Sequence, residues 1–243
     1  MWQKTLQGSK SEKLSHSSLG TLKNSSIVFY LEDVSLKYGA IDALKNVHLK
    51  VERGEIVFLT GISGAGKTTL LKVLSGLVEP DQGKVIAPHR GGDRKLFVAN
   101  IFQDLRLIEN RTCEDNLWTA YDRRIYRNKN EFKQDLDELA NILGIADRLH
   151  LKVKDANGGL KQKVGFMRAL LTRPDVVLAD EPTSSLDYDN SKRLFDILNL
   201  YNTKRGMTVI WASHNREMIA KLSGRIVHLD KGRLVYSGNA CFI

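Results

Sequence analysis

The chain has 243 residues, with 37 Lys and Arg against 28 Asp and Glu, a formal net charge of +9. That length fits one α/β domain with a small helical insertion, and its 42% hydrophobic content is ordinary for a globular protein. No apolar run reaches the eighteen or so residues that span a bilayer, so any work at a membrane needs another chain to hold this one there.

The positive balance suits nucleotides, nucleic acid or an anionic membrane surface, and equally a well-solvated exterior. Cys113 and Cys241 form no paired framework and no metal spacing, as expected in a reducing compartment. Residues 1–26 are rich in Ser, Lys and Gly without a secretory apolar stretch. They are expected to be a disordered tail of a protein that is not exported, with a basic arm for lipid or a partner as the other reading.

From Ile27 the pattern changes. Ile27 to Leu31, Val34 to Tyr38 and Val47 to Val51 read as short strands of an antiparallel subsheet. Ile56 to Thr60 is an almost wholly apolar run, as in a strand buried on both faces. Gly61-Ile-Ser-Gly-Ala-Gly-Lys-Thr68 follows at once, and Leu70, Leu71, Val73 and Leu74 continue it with helical spacing. The path from Gly83 to Val98 looks trimmed, with Arg90 to Arg94 expected as a surface turn. Glu131 to Leu149 carries an apolar helical face of Phe132, Leu136, Leu139 and Leu143. Val176 to Ala179 and Val209 to Ala212 are two further buried strands, and Leu194, Ile197, Leu198 and Tyr201 mark the helix between them. Buried strands alternating with helices predict a parallel sheet.

The chemistry falls at the strand ends. Gly61, Ser63, Gly64, Ala65, Gly66, Lys67, Thr68 and Thr69 make a phosphate-binding loop, whose curled backbone aims N–H groups at the phosphates of ATP or GTP. Lys67 neutralises phosphate oxygens, and the Thr68 hydroxyl is placed for Mg2+. Asp180, closing the run from Val176, is where an acid reaches the metal, and Glu181 beside it is placed as the general base for water. His214 ends a third parallel strand, where it would sense the γ-phosphate and help hold Glu181.

These sites, in this order, resemble the ABC ATPase family. The resemblance runs from about Ile27 to Tyr236. It implies a P-loop NTPase fold of ABC type: a mainly parallel sheet core, an N-terminal antiparallel β subdomain, and a helical subdomain at about residues 104–165, all within 27–243. It gives Tyr38 the role of stacking on adenine, and gives Gln103 a Mg2+ contact and the coupling of the helical subdomain to the core. Ser184-Ser-Leu-Asp187 takes the role of the D-loop at a dimer interface. Within the family, Phe102 to Thr112 followed by Asp115-Asn116 is similar to the stretch after the Q-loop glutamine in the FtsE cell-division ATPases. Lipoprotein-release and macrolide-export ATPases are near cousins.

The resemblance implies an ATP-dependent homodimer in which one subunit's phosphate loop and the other's signature segment hold each ATP with Mg2+. Its closure would drive a polytopic membrane protein of FtsX type, from the cytoplasmic face of the inner membrane. The signature departs from the family pattern of Leu-Ser-Gly-Gly-Gln/Glu-Gln. Here it is Ala156-Asn157-Gly158-Gly159-Leu160-Lys161-Gln162. Binding is expected to survive and turnover to weaken, which leaves a nucleotide-binding module of slow turnover as a rival. A DNA or ribosome role fits less well: there is one phosphate loop, and no heptads run between it and the signature, so no nucleic acid is expected. Leu105, Leu107, Trp118 and Tyr121 would either line the partner groove or belong to the core.

Overall fold

The computed structural model describes residues 26–87, 96–219 and 221–239. Residues 1–25 of the expected tail, the turn at Arg90 to Arg94 and Cys241 lie outside the described residues, while Ser26 O accepts from Arg53 N. In chain order the elements are β1 (Ile27–Tyr38), β2 (Ile41–Glu52), β3 (Ile56–Thr60), α1 (Lys67–Leu74), β4 (Gln82–Ile86) and β5 (Val98–Ile101). They continue with α2 (Cys113–Trp118), α3 (Lys129–Ile142), α4 (Gly158–Leu171), β6 (Val176–Asp180), α5 (Tyr188–Arg205) and β7 (Thr208–Ala212). The described chain closes with α6 (Arg216–Ile219), β8 (Arg225–Asp230) and β9 (Arg233–Asn239).

Two sheets form. One is the antiparallel trio β2-β1-β4; the other has the order β5-β6-β7-β3-β8-β9, parallel through β8 and ending in an antiparallel hairpin. The period-2 alternation of a strand divides the core between the two faces of this second sheet. Ile56, Phe58, Val177, Ala179, Val209 and Trp211 pack on one face with the helices α3, α4 and α5. Val57, Leu59, Val176, Leu178, Ile210 and Ala212 pack on the other, with α1 and the antiparallel sheet. Because both faces are covered, β3, β6 and β7 are buried at every position. This is why they read as unbroken apolar runs.

The helical elements have visible local causes. A capping box starts α2: Thr112 Oγ1 accepts from Asp115 N, and Asp115 returns the bond to Thr112 N. Asn128, Asn157 and Asp187 cap α3, α4 and α5 through their side chains. The helix expected over Glu131 to Leu149 is shorter, because Gly144 at φ 63° ends it and a 3-10 turn at Ala146–Arg148 follows. β1 runs through where two strands were expected, with Asp33 at φ 53° marking the irregularity between them.

Candidate functional site

Every parallel strand of the large sheet delivers its carboxyl end to one edge, and the expected residues collect there. β3 ends at Thr60, and the chain turns through Gly61 (φ 148°), Gly64 (φ 78°) and Gly66 (φ 107°) before α1 begins at Lys67. Gly66 has a second constraint besides its φ: a Cβ there would stand 2.6 Å from Ala43 O on β2. The β8–β9 turn braces the loop from behind, with Gly232 N donating to Ala65 O at 3.0 Å. Lys67 is buried, and its Nζ donates to Gly61 O (2.8 Å) and Ile62 O (3.2 Å) across the concavity of the loop. The first turn of α1 carries no acidic residue, so its dipole end is unopposed toward an anion.

Asp180 ends β6 beside the loop. The Thr68 hydroxyl donates to Asp180 Oδ2 at 2.6 Å, while Asp180 Oδ1 is buried and has no hydrogen-bond partner among the described residues. Burial, with the Glu181 charge beside it, pushes this carboxyl above its ordinary range. A hydroxyl and an under-satisfied carboxylate oxygen are the hard donors that Mg2+ takes, so the residues present fit the ion.

Glu181 has left the strand with φ 49°, a strained value for a residue with a Cβ. Its side chain is 17% exposed, with Oε1 2.9 Å from His214 Nδ1 and 3.9 Å from Lys67 Nζ. A carboxylate only accepts, so the short contact assigns the Nδ1 proton to His214 as donor. His214 itself is largely exposed, two residues past β7. The arrangement holds a carboxylate at the rim of the phosphate loop between Lys67 and His214.

Gln103 lies two residues beyond β5, whose Ile101 is in register with Ala179, so it emerges at the same edge as Asp180 and Glu181. It is exposed. Tyr38, 49% exposed, closes β1 opposite Ile41, and the following Ala43 is the residue that touches Gly66. Ser63, Gly64 and Thr69 are partly or fully open to solvent and Ala65 is buried.

Asn157, Gly158, Gly159 and Asp187 are brought together, but away from the phosphate loop. They line a separate cavity of about 610 Å3 with Leu143, Lys163 and Arg193. The two glycines press on the D-loop: a Cβ at Gly158 would meet Ser185 at 3.3 Å, and one at Gly159 would meet Leu186 at 3.3 Å. Leu160 is buried at 3% exposure, so the apolar replacement in the signature points into the core. Lys163 is also buried, donating to Leu143 O at 2.8 Å, and desolvation lowers its pKa. Of the four partner-groove candidates, Trp118 and Tyr121 join an aromatic cluster with Phe132, and Leu105 and Leu107 are half-buried against the same core.

Two residues that the sequence shows only as members of longer motif stretches also matter. Gln162 donates to Ser184 Oγ (2.7 Å) and accepts from Ser185 N (3.0 Å), tying the signature helix to the D-loop of its own chain. Asn116 donates to Ile108 O and Thr112 O and accepts from Ile108 N, fixing the loop that follows Gln103. A lone amide in an amphipathic stretch gives no signal of either link.

A glycine-curled loop between a buried strand and a helix, facing an acidic strand end, defines a P-loop nucleotide triphosphatase. Family comparison narrows this: residues 44–184 match the ABC transporter family, and the chain belongs to it. It is an ATPase of that class, taking ATP with Mg2+. It is 34% identical over 218 residues to the methionine import ATP-binding protein MetN of Clostridioides difficile, covering 86% of this chain and 68% of that protein. Against MetN of Rhizobium etli it is 35% identical, covering 87% of this chain and 61% of the relative. The chain thus spans about three fifths to two thirds of the length of these relatives. In structure it is similar to the dimeric cassette MJ0796 bound to ADP and Pi, with TM-score 0.76 and 28% identity over 89% of this chain and all of that one. The ABC resemblance therefore holds. Both of these sequence relatives are methionine import ATPases, whereas the resemblance pointed to cell-division ATPases.

Proposed function

We propose that this chain is the ATP-hydrolysing motor subunit of an ABC system seated on a polytopic membrane protein. The observation that carries the reading is Glu181, strained at the rim of the phosphate loop and held between His214 and Lys67. In this reading residues 27–243 form one ATPase domain with its helical subdomain at about 104–165, preceded by a tail at 1–26. Gly61 to Thr69 and Tyr38 hold ATP; Thr68, Asp180 and Gln103 serve Mg2+. Glu181 orients and deprotonates the attacking water, Lys67 offsets phosphate charge, and His214 steadies Glu181. Asn157, Gly158, Gly159 and Asp187 act on the ATP of a second copy. Their cavity excludes their own phosphate loop, and the relative MJ0796 is described as dimeric.

The membrane partner is a transporter permease in the first instance, because the relatives at 34% and 35% identity are import ATPases. The solute is set by that permease. A second reading, an FtsX-type partner in cell division, is favoured by one feature: the Phe102 to Thr112 stretch, organised here around Asn116. Either places the chain at the cytoplasmic face of the membrane. No helix among the described residues is long and apolar enough to cross it.

The test is to purify the Glu181→Gln chain with Mg-ATP from detergent-solubilised membranes of its host and identify what accompanies it. A multi-span permease supports the transport reading. A four-span protein with a large outward domain supports the FtsX reading. Recovery with no membrane protein overturns both.

A further inference from the structure

Arg168 sits about two and a half turns along α4 from the signature glycines. Its Nη1 donates to Arg106 O at 2.9 Å and its Nη2 to Leu105 O at 2.5 Å. Among the described residues the guanidinium meets these two carbonyls and no carboxylate, and its burial lowers its pKa through desolvation alone. The side chain is only partly buried, and its planar fork of donors closes on these two backbone acceptors. The segment it holds is also strained: Arg106 has φ 47°, in a turn closed by Arg106 N donating to Asp104 Oδ1. One turn back on the same helix face, Gly165 leaves room for Leu105, whose Cδ2 would stand 2.8 Å from a Cβ there. Two independent features of α4, a fork of donors and a missing side chain, therefore seat the turn that follows Gln103.

We infer that Arg168 is a positioning residue: it latches the Gln103 segment to α4, so that movement of Gln103 with nucleotide carries the signature at the far end of that helix. The inference rests on the Gln103 and signature roles proposed above. Loss of the fork frees the loop without touching ATP itself.

The test uses the full chain, with Arg168→Met (no donor) and Arg168→Lys (one donor cluster). Mg-ATP affinity is measured by calorimetry, turnover by phosphate release, and amide hydrogen exchange with and without Mg-ATP. The expected result for Arg168→Met is unchanged affinity and KM, a kcat lower by about tenfold, as for a typical inter-site coupling, and partial recovery in Arg168→Lys. Mg-ATP should slow exchange at residues 66–71 in all three proteins, but at residues 158–165 only where the side chain at position 168 can donate. Retained protection at 158–165 in Arg168→Met overturns the latch. So does a fall in thermal stability with protection lost in both regions, which is what a merely structural residue would give. Should the unaltered chain show nucleotide-coupled exchange and no hydrolysis, the motor reading fails while the latch stands.

Discussion

Glu181 Oε1 stands 2.9 Å from His214 Nδ1, joining the carboxyl ends of two neighbouring parallel strands across the mouth of the phosphate loop. In the proposed mechanism this pair fixes where the water-activating carboxylate sits before nucleotide arrives. Glu181→Gln keeps the size and removes the base, so kcat should fall by about 10²–10⁴-fold with Mg-ATP affinity retained. His214→Ala should cost less, since Lys67 still faces the carboxylate at 3.9 Å. Steady-state phosphate release together with calorimetric ATP binding checks both.

Asp180 gives a pH dependence with a definite sign. Its folded pKa is raised, so between the unfolded value and the folded one the native state holds the extra proton, and stability falls as pH rises through that window. Above it the nucleotide-free protein carries a constant penalty, which Asp180→Asn removes while Thr68 can still donate. The variant should melt higher than the unaltered chain at neutral pH, by about 2–4 °C for each kcal/mol recovered, and should hydrolyse nothing. The gap should close on acidification through the window, as read by thermal melts across pH.

The altered signature separates into two positions with different consequences. Leu160→Gln restores the family's polar residue but buries an amide in the core, and should destabilise by about 1–3 kcal/mol without improving turnover. Asn157→Ser exchanges one good N-cap for another at the same place, so stability should hardly move. If the serine is what the signature lacks, turnover should rise in that variant alone. Denaturant melts and phosphate release distinguish the two.

Asn116 is fully buried and satisfied by three backbone partners. Asn116→Ala leaves those groups unpaired, at a cost of about 1–3 kcal/mol. It should also loosen the loop at Ile108 to Thr112, measurable as faster amide exchange there.

The large sheet was legible in the sequence because strands buried on both faces must be apolar almost throughout, as Ile56 to Thr60 and Val176 to Asp180 are. The phosphate loop was legible because only glycine tolerates φ near 107° beside the Ala43 carbonyl. β4 was not: its residues are half-buried or exposed, and its pairing with β1 depends on a partner some fifty residues away in the chain. The α3 boundary was missed because Ile142, Ile145 and Leu149 keep helical apolar spacing across the break at Gly144. Gln162 and Arg168 were invisible as links, since each is a polar side chain whose partners are set by tertiary structure. Leu160 showed as a departure in the motif, and burial supplied its reason.

The most direct test of the motor account is complementation between two inactive chains. Lys67→Ala removes the phosphate-loop cation, and Gly158→Glu blocks the signature against Ser185. Each variant alone should hydrolyse no ATP. Mixed in equal amounts, half of the two-fold dimers are hybrids with one intact composite site, so phosphate release should return to roughly a quarter of the unaltered rate. Full activity in Gly158→Glu alone, or no recovery in the mixture, would contradict a site completed by a second copy.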